Sequence, residues 1–275
     1  MPELPEVETI RRFLSLGQGE RPAILGRKLQ SVEVFWERSI AYPDSALFVK
    51  QIKGQVIQEI SRRAKYLVFR LSDRWLLIHL RMSGDLSVRH DSQARDPYDR
   101  VVFNLDCSLY LAFNDTRKFG KVWLVDDPEL VLAGLGPEPF DPQLTEADFF
   151  ARLQAYRRQL KPLLLDQSFL AGLGNIYTDE ALHLARLHPL MRSDQLSMEQ
   201  SQQLLESIRQ VLMLGIESQG ASIDWVYRGG EFQNHFRVYQ RTGQPCPTCG
   251  TGIFKVTIGQ RGTHFCPTCQ IKPEL

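Results

Sequence analysis

Two cysteine pairs near the end of the chain restrict most strongly what that segment can fold into. Cys246-Pro-Thr-Cys249 and Cys266-Pro-Thr-Cys269 are separated by sixteen residues, the spacing of a four-cysteine zinc site. Four thiolates leave no open coordination position, so the predicted Zn²⁺ is structural. The alternating segments 254–258 and 263–265 predict a hairpin between the pairs. Such a short segment lacks a core, so we expect zinc to supply its folding energy; the alternative is surface cysteines without metal.

Charge and composition leave the partner class open. The 275 residues include 33 basic and 32 acidic side chains, for a net charge of +1. A nucleic-acid-binding face therefore requires an uneven distribution of charge. No apolar segment is long enough to span a bilayer and no signal peptide is recognisable, so we expect a soluble, cytoplasmic protein. The fifth cysteine, Cys107, stands in an apolar stretch and is interpreted as a small buried residue.

The hydrophobic pattern changes once along the chain. Residues 5–16 carry Val7, Ile10 and Leu14 at helical spacing. From Leu29 to about Val125, short β-rich runs separated by turn residues predict an antiparallel sandwich or barrel. Prolines and glycines in 126–142 mark a boundary, beyond which four helices are predicted at 145–156, 161–167, 176–187 and 197–217. Thr145 and Ser197 are the expected N-caps.

The first residues carry a possible nucleophile. If Met1 is removed, Pro2 presents a secondary amine, and an α-amino group is partly unprotonated at neutral pH. Amines attack sugar carbons and form Schiff bases, and Glu3 beside it is a candidate general acid or base. The alternative is an ordinary helix start, because Glu3, Glu6 and Glu8 suit the positive end of a helix.

Two further segments suggest contacts with anions. Gly172–Glu180 is a glycine-containing turn that leads into a helix, with Asn175 as the expected N-cap, and free N–H groups at such an end bind anions. Arg261, at the tip of the predicted hairpin, could grip a phosphate. The alternatives are an ordinary packing turn and a solvated loop charge.

These motifs, taken together, resemble the formamidopyrimidine-DNA glycosylases, a bifunctional base-excision repair family. The resemblance begins with Pro2–Thr9 and continues through segments 62–67, 79–84, 114–120, 134–139, 172–180 and the cysteine pairs, in the order of the family. It covers nearly the whole chain. The fold that it implies is α+β and multi-domain, with an N-terminal helix on an antiparallel β-sandwich, then a helical helix-two-turn-helix domain with a C-terminal four-cysteine zinc finger.

The resemblance implies domain limits and a role for each site residue. The expected division is 1–127, a linker at 128–142, a helical domain at 143–243 and the zinc finger at 244–275. Pro2 is the implied nucleophile and Glu3 the proton-transfer group, and Lys65 and Arg261 hold phosphate at the reaction centre. The implied DNA-binding residues are Glu6, His79, Met82, Arg117, Phe119, Asn175 and Tyr239. Met82, Arg117 and Phe119 would fill the space left by a base flipped out of the duplex.

The implied activity is removal of oxidised purines (8-oxoguanine and formamidopyrimidines) from double-stranded DNA, followed by β- and δ-elimination at the abasic site. The implied protein is a monomer with one structural Zn²⁺ and no membrane partner, associated with the nucleoid in a bacterium. Residues 221–236 depart from the longer glycine-rich loop usual in the family, which leaves the grip on 8-oxoguanine open. The alternatives are an endonuclease VIII-like enzyme for oxidised pyrimidines, a non-catalytic zinc protein that binds nucleic acid, and retention of Met1.

Overall fold

The computed structural model of the chain describes residues 1–19, 22–222 and 229–272. It contains two compact units: the first comprises residues 1–133 together with Ser222 and Gly229, and the second comprises the other described residues from Gly134 onward. Across the described residues, every helix is too short or too polar to cross a membrane.

The first unit consists mainly of strands. Its elements are α1 (Leu4–Leu16), β1 (Leu29–Val34), a 3-10 turn (Glu37–Ser39), β2 (Ile40–Tyr42), α2 (Ser45–Ile52), β3 (Ile57–Arg63), β4 (Tyr66–Leu71), β5 (Trp75–His79), β6 (Gly84–His90), β7 (Asp99–Leu105), β8 (Leu109–Asp115), β9 (Lys121–Val125) and α3 (Glu129–Leu132).

Two sheets pack face to face around one core. The four-stranded sheet has the order β1-β7-β8-β6, and the five-stranded sheet has the order β2-β9-β5-β4-β3. Buried side chains of both sheets, among them Phe69, Ile78, Phe103 and Phe113, belong to one apolar cluster. The predicted sandwich is therefore confirmed; within it, the short pairing of β2 with β9 is parallel.

Helix α1 covers part of this core. Val7, Ile10 and Leu14 are buried, as their spacing predicts. Helix α1 packs on β3 and β4, the two strands that meet at the turn holding Lys65. The terminal residues are thereby held against the sheet.

Five elements of the first unit were not predicted, and one residue was misplaced. The 3-10 turn, strand β2, helix α2, strand β6 and helix α3 fall outside the predicted β-rich runs and helices. Strand β6 alternates with polar residues and gains its order from pairing along β8. Cys107 is exposed, so its predicted burial is wrong. It lies in the turn between β7 and β8 with φ of 59°, and the Arg27 guanidinium donates to its sulfur at 3.0 Å.

The second unit is helical and ends in a hairpin. Its elements are α4 (Glu146–Gln154), α5 (Leu160–Leu164), α6 (Asn175–Leu184), a 3-10 turn (Ser193–Gln195), α7 (Met198–Glu217), a 3-10 helix (Phe232–His235), β10 (Phe254–Ile258) and β11 (Arg261–Phe265). Thr145 caps α4 through the Asp148 N–H, and Ser197 caps α7 through the Gln200 N–H, so both predicted caps are confirmed.

The predicted N-cap of α6 is wrong by one residue. Gly174 is the N-cap, with φ of −130° and ψ of −159°, and Asn175 is the first helical residue. Because Asn175 already has a helical backbone, it lies outside the capping position, and its Nδ2 donates to the carbonyl oxygen of Gly262, 2.9 Å away.

Candidate functional site

Residues Pro2 and Glu3 are buried at the start of α1. The backbone N–H of Glu3 donates to Oε2 of Glu6 at 2.7 Å, and both carboxylates are 2% exposed. Glu6 thus satisfies one of the amide groups that a helix start leaves unpaired and fixes the backbone beside Pro2. The two residues proposed for the chemistry are therefore buried at the start of the chain.

The turn between β3 and β4 presents Lys65. Arg63 and Tyr66 pair across the turn, and Ala64 adopts φ of 52°. Lys65 is 5% exposed, so it is not a solvated residue of the strand edge. Arg62 supports the turn: its Nη1 donates to the Ala64 carbonyl at 2.9 Å, and its Nε lies 3.4 Å from a carboxylate oxygen of Glu8 on α1.

Glu8 ties α1 to this turn. Burial alone would raise the pKa of Glu8, but hydrogen bonds from Arg11 and Arg12 and the charges of Arg11 and Arg62 outweigh it, so the pKa lies below its ordinary value. A carboxylate that stays ionised retains its ion pairs with several arginines. Arg62 therefore stabilises the turn, and Lys65 lies in the turn itself.

His79 ends β5 beside this turn. It pairs with Tyr66 across the sheet and is 8% exposed. Burial lowers its pKa to about 3, helped by the positive charges of Arg81 and Lys65. Its Nδ1 accepts the backbone N–H of Arg81 at 3.0 Å, so the single proton of the neutral ring is on Nε2. The site thus holds a neutral hydrogen-bond donor at any physiological pH.

Met82, Arg117 and Phe119 lie on two loops of the first unit. Met82 is half-buried in the β5–β6 turn, while Arg117 and Phe119 are exposed between β8 and β9, so core packing is excluded for Phe119, which is 50% exposed. The Arg117 guanidinium lies 5.1 Å from the centre of the Phe119 ring. This cation–π contact orients both side chains.

One carboxylate joins the two loops. Asp115 is 0% exposed and accepts the hydroxyl hydrogen of Ser83 from the first loop. It also accepts the N–H of Arg117 at 3.1 Å and that of Gly120 at 2.7 Å from the second. The loop bearing Met82 and the loop bearing Arg117 and Phe119 therefore share one buried anchor.

In the second unit, side chains of helix α6 form hydrogen bonds that hold the hairpin in place. Asn175 reaches Gly262, the neighbour of Arg261, and its Oδ1 is buried without a hydrogen-bond partner in the described part of the chain. Arg261 is exposed as the first residue of β11, which begins two residues earlier than predicted. Gly259 and Gln260 form the turn with φ of 55° and 62°, the twist that suits a two-residue hairpin.

Two acids of α6 complete this arrangement. Asp179 pairs with the fully buried Lys161 at 2.6 Å and accepts the backbone N–H of His264 at 2.9 Å. Glu180 accepts the N–H groups of residues 237, 238 and 239 between 2.8 and 3.0 Å, while burial raises its pKa above the ordinary value. Glu180 thereby fixes the backbone of Tyr239, whose half-buried ring packs against His264.

The four cysteine sulfurs fit one tetrahedral ion. They lie within 4.8 Å of one another, with Cys246 and Cys269 3.9 Å apart and Cys249 and Cys266 3.5 Å apart. Zinc–sulfur bonds of about 2.3 Å in a tetrahedron require sulfurs somewhat under 4 Å apart. The N–H groups of Thr248 and Cys269 point at sulfurs from 3.4 Å. The thiolates therefore form the site of one structural Zn²⁺.

The structure groups the predicted residues within each unit. The first unit contains Pro2, Glu3, Glu6, Lys65, His79, Met82, Arg117 and Phe119, and the second contains Asn175, Tyr239, Arg261 and the cysteines. The altered stretch 221–236 is described only in part, because residues 223–228 lie outside the described ranges. On either side of them, Ala221 bridges to Glu231 and Ser222 accepts the N–H of Gly229 at 3.1 Å.

Three buried residues that hold these groups were not predicted: Asp115, Asp179 and Glu180. They fall inside the quoted motifs, but each has at least one partner that is distant in sequence. A signal was available for α6, since residues 175, 179 and 183 recur at one-turn spacing and are all polar. When a helix is expected to pack against the rest of the protein, a row of polar residues along it indicates that each has a specific hydrogen-bond partner.

Three family models match the chain. The formamidopyrimidine-DNA glycosylase N-terminal domain matches residues 1–122, the formamidopyrimidine-DNA glycosylase H2TH domain matches 135–226, and the zinc finger found in FPG and IleRS matches 243–271. Together they leave only short connecting and terminal segments unmatched.

Curated relatives and solved structures agree with these models. A formamidopyrimidine-DNA glycosylase of Protochlamydia amoebophila is 42% identical over 99% of this chain and 100% of its own length. One of Symbiobacterium thermophilum is 44% identical over 100% of this chain and 90% of its own. A Lactococcus lactis FPG mutant in complex with Fapy-dG-containing DNA superposes with a TM-score of 0.91 at 37% identity, covering 98% and 100% of the two chains. The Lactococcus lactis enzyme non-covalently bound to DNA with an AP site gives 0.90 at the same identity and coverage.

Proposed function

Because the chain belongs to the formamidopyrimidine-DNA glycosylase family, we propose that it removes oxidised purines from double-stranded DNA and cuts the strand at the abasic site. Its substrates are 8-oxoguanine and formamidopyrimidines. The related structures hold DNA with Fapy-dG, an 8-oxoguanine analogue or an abasic site, which supports this substrate class. The observation that carries the proposal is the buried Pro2–Glu3 terminus, held by Glu6.

The reaction starts at the Pro2 nitrogen once Met1 has been removed. Its lone pair attacks C1′ of the flipped nucleotide, and the bond from C1′ to the base breaks. Glu3 transfers a proton at the sugar as the ring opens, which leaves Pro2 joined to C1′ as an iminium. The iminium charge acidifies the C2′ hydrogen. Removal of that proton expels the 3′ phosphate by β-elimination, δ-elimination then expels the 5′ phosphate, and hydrolysis releases Pro2.

Residues near the terminus hold the strand. Lys65 contacts the phosphate at the reaction centre, and its charge suits an oxygen that is anionic at every step. His79, held neutral by burial, donates from Nε2 to the sugar-phosphate chain. A neutral donor keeps this contact independent of pH.

Base removal requires extrusion of the target, which costs a few kcal/mol of unstacking. Met82, Arg117 and Phe119 offset this cost by filling the vacated space. This role is supported by the position of the three residues, since all of them lie on loops and Asp115 anchors both loops.

The second unit binds phosphates. Asn175, Tyr239 and Arg261 are brought together by hydrogen bonds from α6 to the finger and the segment before it. The structural zinc keeps the hairpin folded and takes no part in the chemistry. Without zinc, the hairpin that presents Arg261 at its tip would unfold.

We also propose the division into 1–127, 128–142, 143–243 and 244–275 as functional segments. It is supported by the transition at Ala133, which falls inside the linker. The enzyme acts as a monomer in the DNA-containing compartment, the cytoplasm with its nucleoid, because its substrate is the chromosome.

The test is covalent trapping. The protein is incubated with duplex DNA containing 8-oxoguanine opposite cytosine, borohydride is added to reduce the iminium, and the cross-linked residue is mapped by mass spectrometry. We expect an adduct on Pro2. Pro2→Gly and Glu3→Gln should still bind the lesion duplex, while Glu3→Gln slows base removal by about 10²-fold or more.

The other outcomes separate the alternatives. An adduct that forms only with an oxidised pyrimidine would assign endonuclease VIII-like specificity. No adduct with any lesion or abasic site would indicate a binding protein. Intact mass before the reaction distinguishes both from a sample that has retained Met1.

A further inference from the structure

Three contacts between α6 and the zinc finger are spaced one helical turn apart, and a fourth follows beyond the helix end. Asn175 donates to the Gly262 carbonyl at 2.9 Å, and Asp179 accepts the His264 N–H at 2.9 Å. His183 Nε2 lies 3.3 Å from the sulfur of Cys246. Beyond the helix end, the Leu187 carbonyl accepts from Gln270 at 2.9 Å. Positions 175, 179 and 183 share one side of α6, and the Leu187 carbonyl continues this row past the helix end, so the row contacts the finger from its tip to its base.

The third contact reaches a zinc ligand. Cys246 is 3% exposed and His183 is 2% exposed, so the hydrogen bond between them is shielded from water. Shielded hydrogen bonds to charged groups are stronger than exposed ones. His183 therefore contacts the same Cys246 sulfur that would bind the zinc ion.

The surroundings of His183 fix the location of its proton. Nδ1 is buried and finds no hydrogen-bond partner among the described residues, so a proton there would be an unpaired buried donor, which costs about 1 to 3 kcal/mol. A proton on Nε2 instead points at the thiolate. In the opposite tautomer, the Nε2 lone pair would face the sulfur lone pairs. Both effects select Nε2–H as the donor.

We propose that His183 is a positioning residue of the zinc centre, which donates its Nε2–H to the Cys246 thiolate and so joins the metal site to the helix that begins at Asn175. Donation draws charge from the sulfur and holds it in the ligand geometry, and groups of this kind commonly change metal affinity 10- to 100-fold. The remaining contacts of the row extend this link to the hairpin end that presents Arg261.

Two substitutions separate hydrogen bonding from packing. His183→Phe keeps a ring of similar size and removes the donor, whereas His183→Gln keeps an N–H that can reach the sulfur. The control is His235→Gln, an exposed histidine of the same unit. All variants are purified with zinc, and circular dichroism checks that each is folded.

The first readout is metal release. Zinc transfer to a colorimetric chelator is timed for the folded proteins, and we expect His183→Phe to lose zinc about tenfold faster than the wild type. His183→Gln should restore slow release at least in part, and His235→Gln should match the wild type. Equal release rates for His183→Phe and the wild type would overturn the proposal, as would equal rates for the Phe and Gln variants.

The second readout reports on the sulfur itself. With Co²⁺ in place of zinc, the sulfur-to-cobalt charge-transfer band should shift in His183→Phe and return towards the wild-type position in His183→Gln. An unchanged band in the Phe variant would contradict the assigned hydrogen bond. Both readouts are independent of DNA, so they stand or fall separately from the proposed repair activity.

Discussion

Asp115 holds two loops because its carboxylate has enough acceptor sites for donors from both. A buried carboxylate accepting three hydrogen bonds is satisfied, and here the donors are one hydroxyl and two backbone amides. Because all three partners are donors, both side-chain atoms that face them must be hydrogen-bond acceptors. Asparagine has the same shape but replaces one oxygen with a donor.

Asp115→Asn should therefore lower the free energy of unfolding by about 2 to 3 kcal/mol, because an amide hydrogen then faces a donor in a buried site. Urea denaturation measures the loss. Hydrogen exchange should show faster exchange at the Arg117 and Gly120 amides. Asp91→Asn, at an exposed position, is the control and should change stability by less than about 0.5 kcal/mol. Unchanged stability in Asp115→Asn would refute the anchoring role.

His79 makes a second residue-scale prediction, about pH. Its folded pKa of about 3 lies below the ordinary value of 6.5, so the unfolded chain binds the proton more readily. The stability that it contributes is present above pH 6.5 and is lost as the pH falls towards 3. Between pH 6.5 and 5 the wild type should lose about 1.5 kcal/mol more than His79→Gln, measured by urea titration in the presence of zinc. Parallel losses would show that His79 is not held neutral by the fold.

At the scale of elements, α6 and α7 approach closely where Gly215 faces Tyr177. A Cβ at Gly215 would lie 2.4 Å from Cε1 of that ring. The ring cannot give way easily, since it is fully buried and stacks on Phe232 with centroids 4.8 Å apart. The glycine is needed for packing, although it weakens the helix.

Gly215→Ala measures which effect dominates. Alanine favours the helix by about 1 kcal/mol, but overpacking costs about 1 to 3 kcal/mol. We expect a net loss of about 1 to 2 kcal/mol in the free energy of unfolding, followed by urea denaturation. Gly134→Ala, where a Cβ would meet nothing within 4 Å, should show no such loss. A more stable Gly215→Ala protein would mean that the helices separate without cost.

Elements were predictable where a local pattern determines them. The stripe of α1, the caps Thr145 and Ser197, and the hairpin strand 254–258 follow from residues within a few positions of one another. Strand β6 escaped because its order comes from β8. The N-cap of α6 was misplaced by one residue because asparagine is a favoured capping residue, whereas here the helix begins at Asn175 and its side chain contacts a residue far along the chain.

For the whole molecule, zinc should stabilise one unit and not the other. The finger has a small apolar cluster in which three of the five residues are cysteines and the others are Val238 and Ile253. It cannot supply the folding energy of the finger without metal. The first unit has its own large core, to which no cysteine ligand belongs.

Chelation should therefore lower the melting temperature of the second unit by many degrees while leaving the transition of the first unit in place. Differential scanning calorimetry of the full chain, with and without a zinc chelator, measures both transitions. DNA binding should fall at the same chelator concentration and return when zinc is added. Full DNA affinity in a demonstrably metal-free sample would rule out the structural role of the metal.

The site as a whole was predictable through chemistry and resemblance, and its supports were not. Cysteine spacing identifies the metal ligands, and the Pro2–Glu3 pair suggests a nucleophile with a proton-transfer group. Lys161 and Glu180 give no sequence signal of burial, because charged residues are usually exposed, and only the polar row on α6 points to Asp179. Their partners are known only once the chain is folded.

The shared anchor at Asp115 also constrains how this enzyme can diverge. Met82 belongs to one loop, and Arg117 and Phe119 belong to the other, yet both loops rely on the same two oxygens. A change of backbone in either loop is transmitted to its neighbour, so tolerated variants must arise in compatible pairs. A chimera that takes one loop from a relative has to take the other as well, so the two loops must be exchanged together.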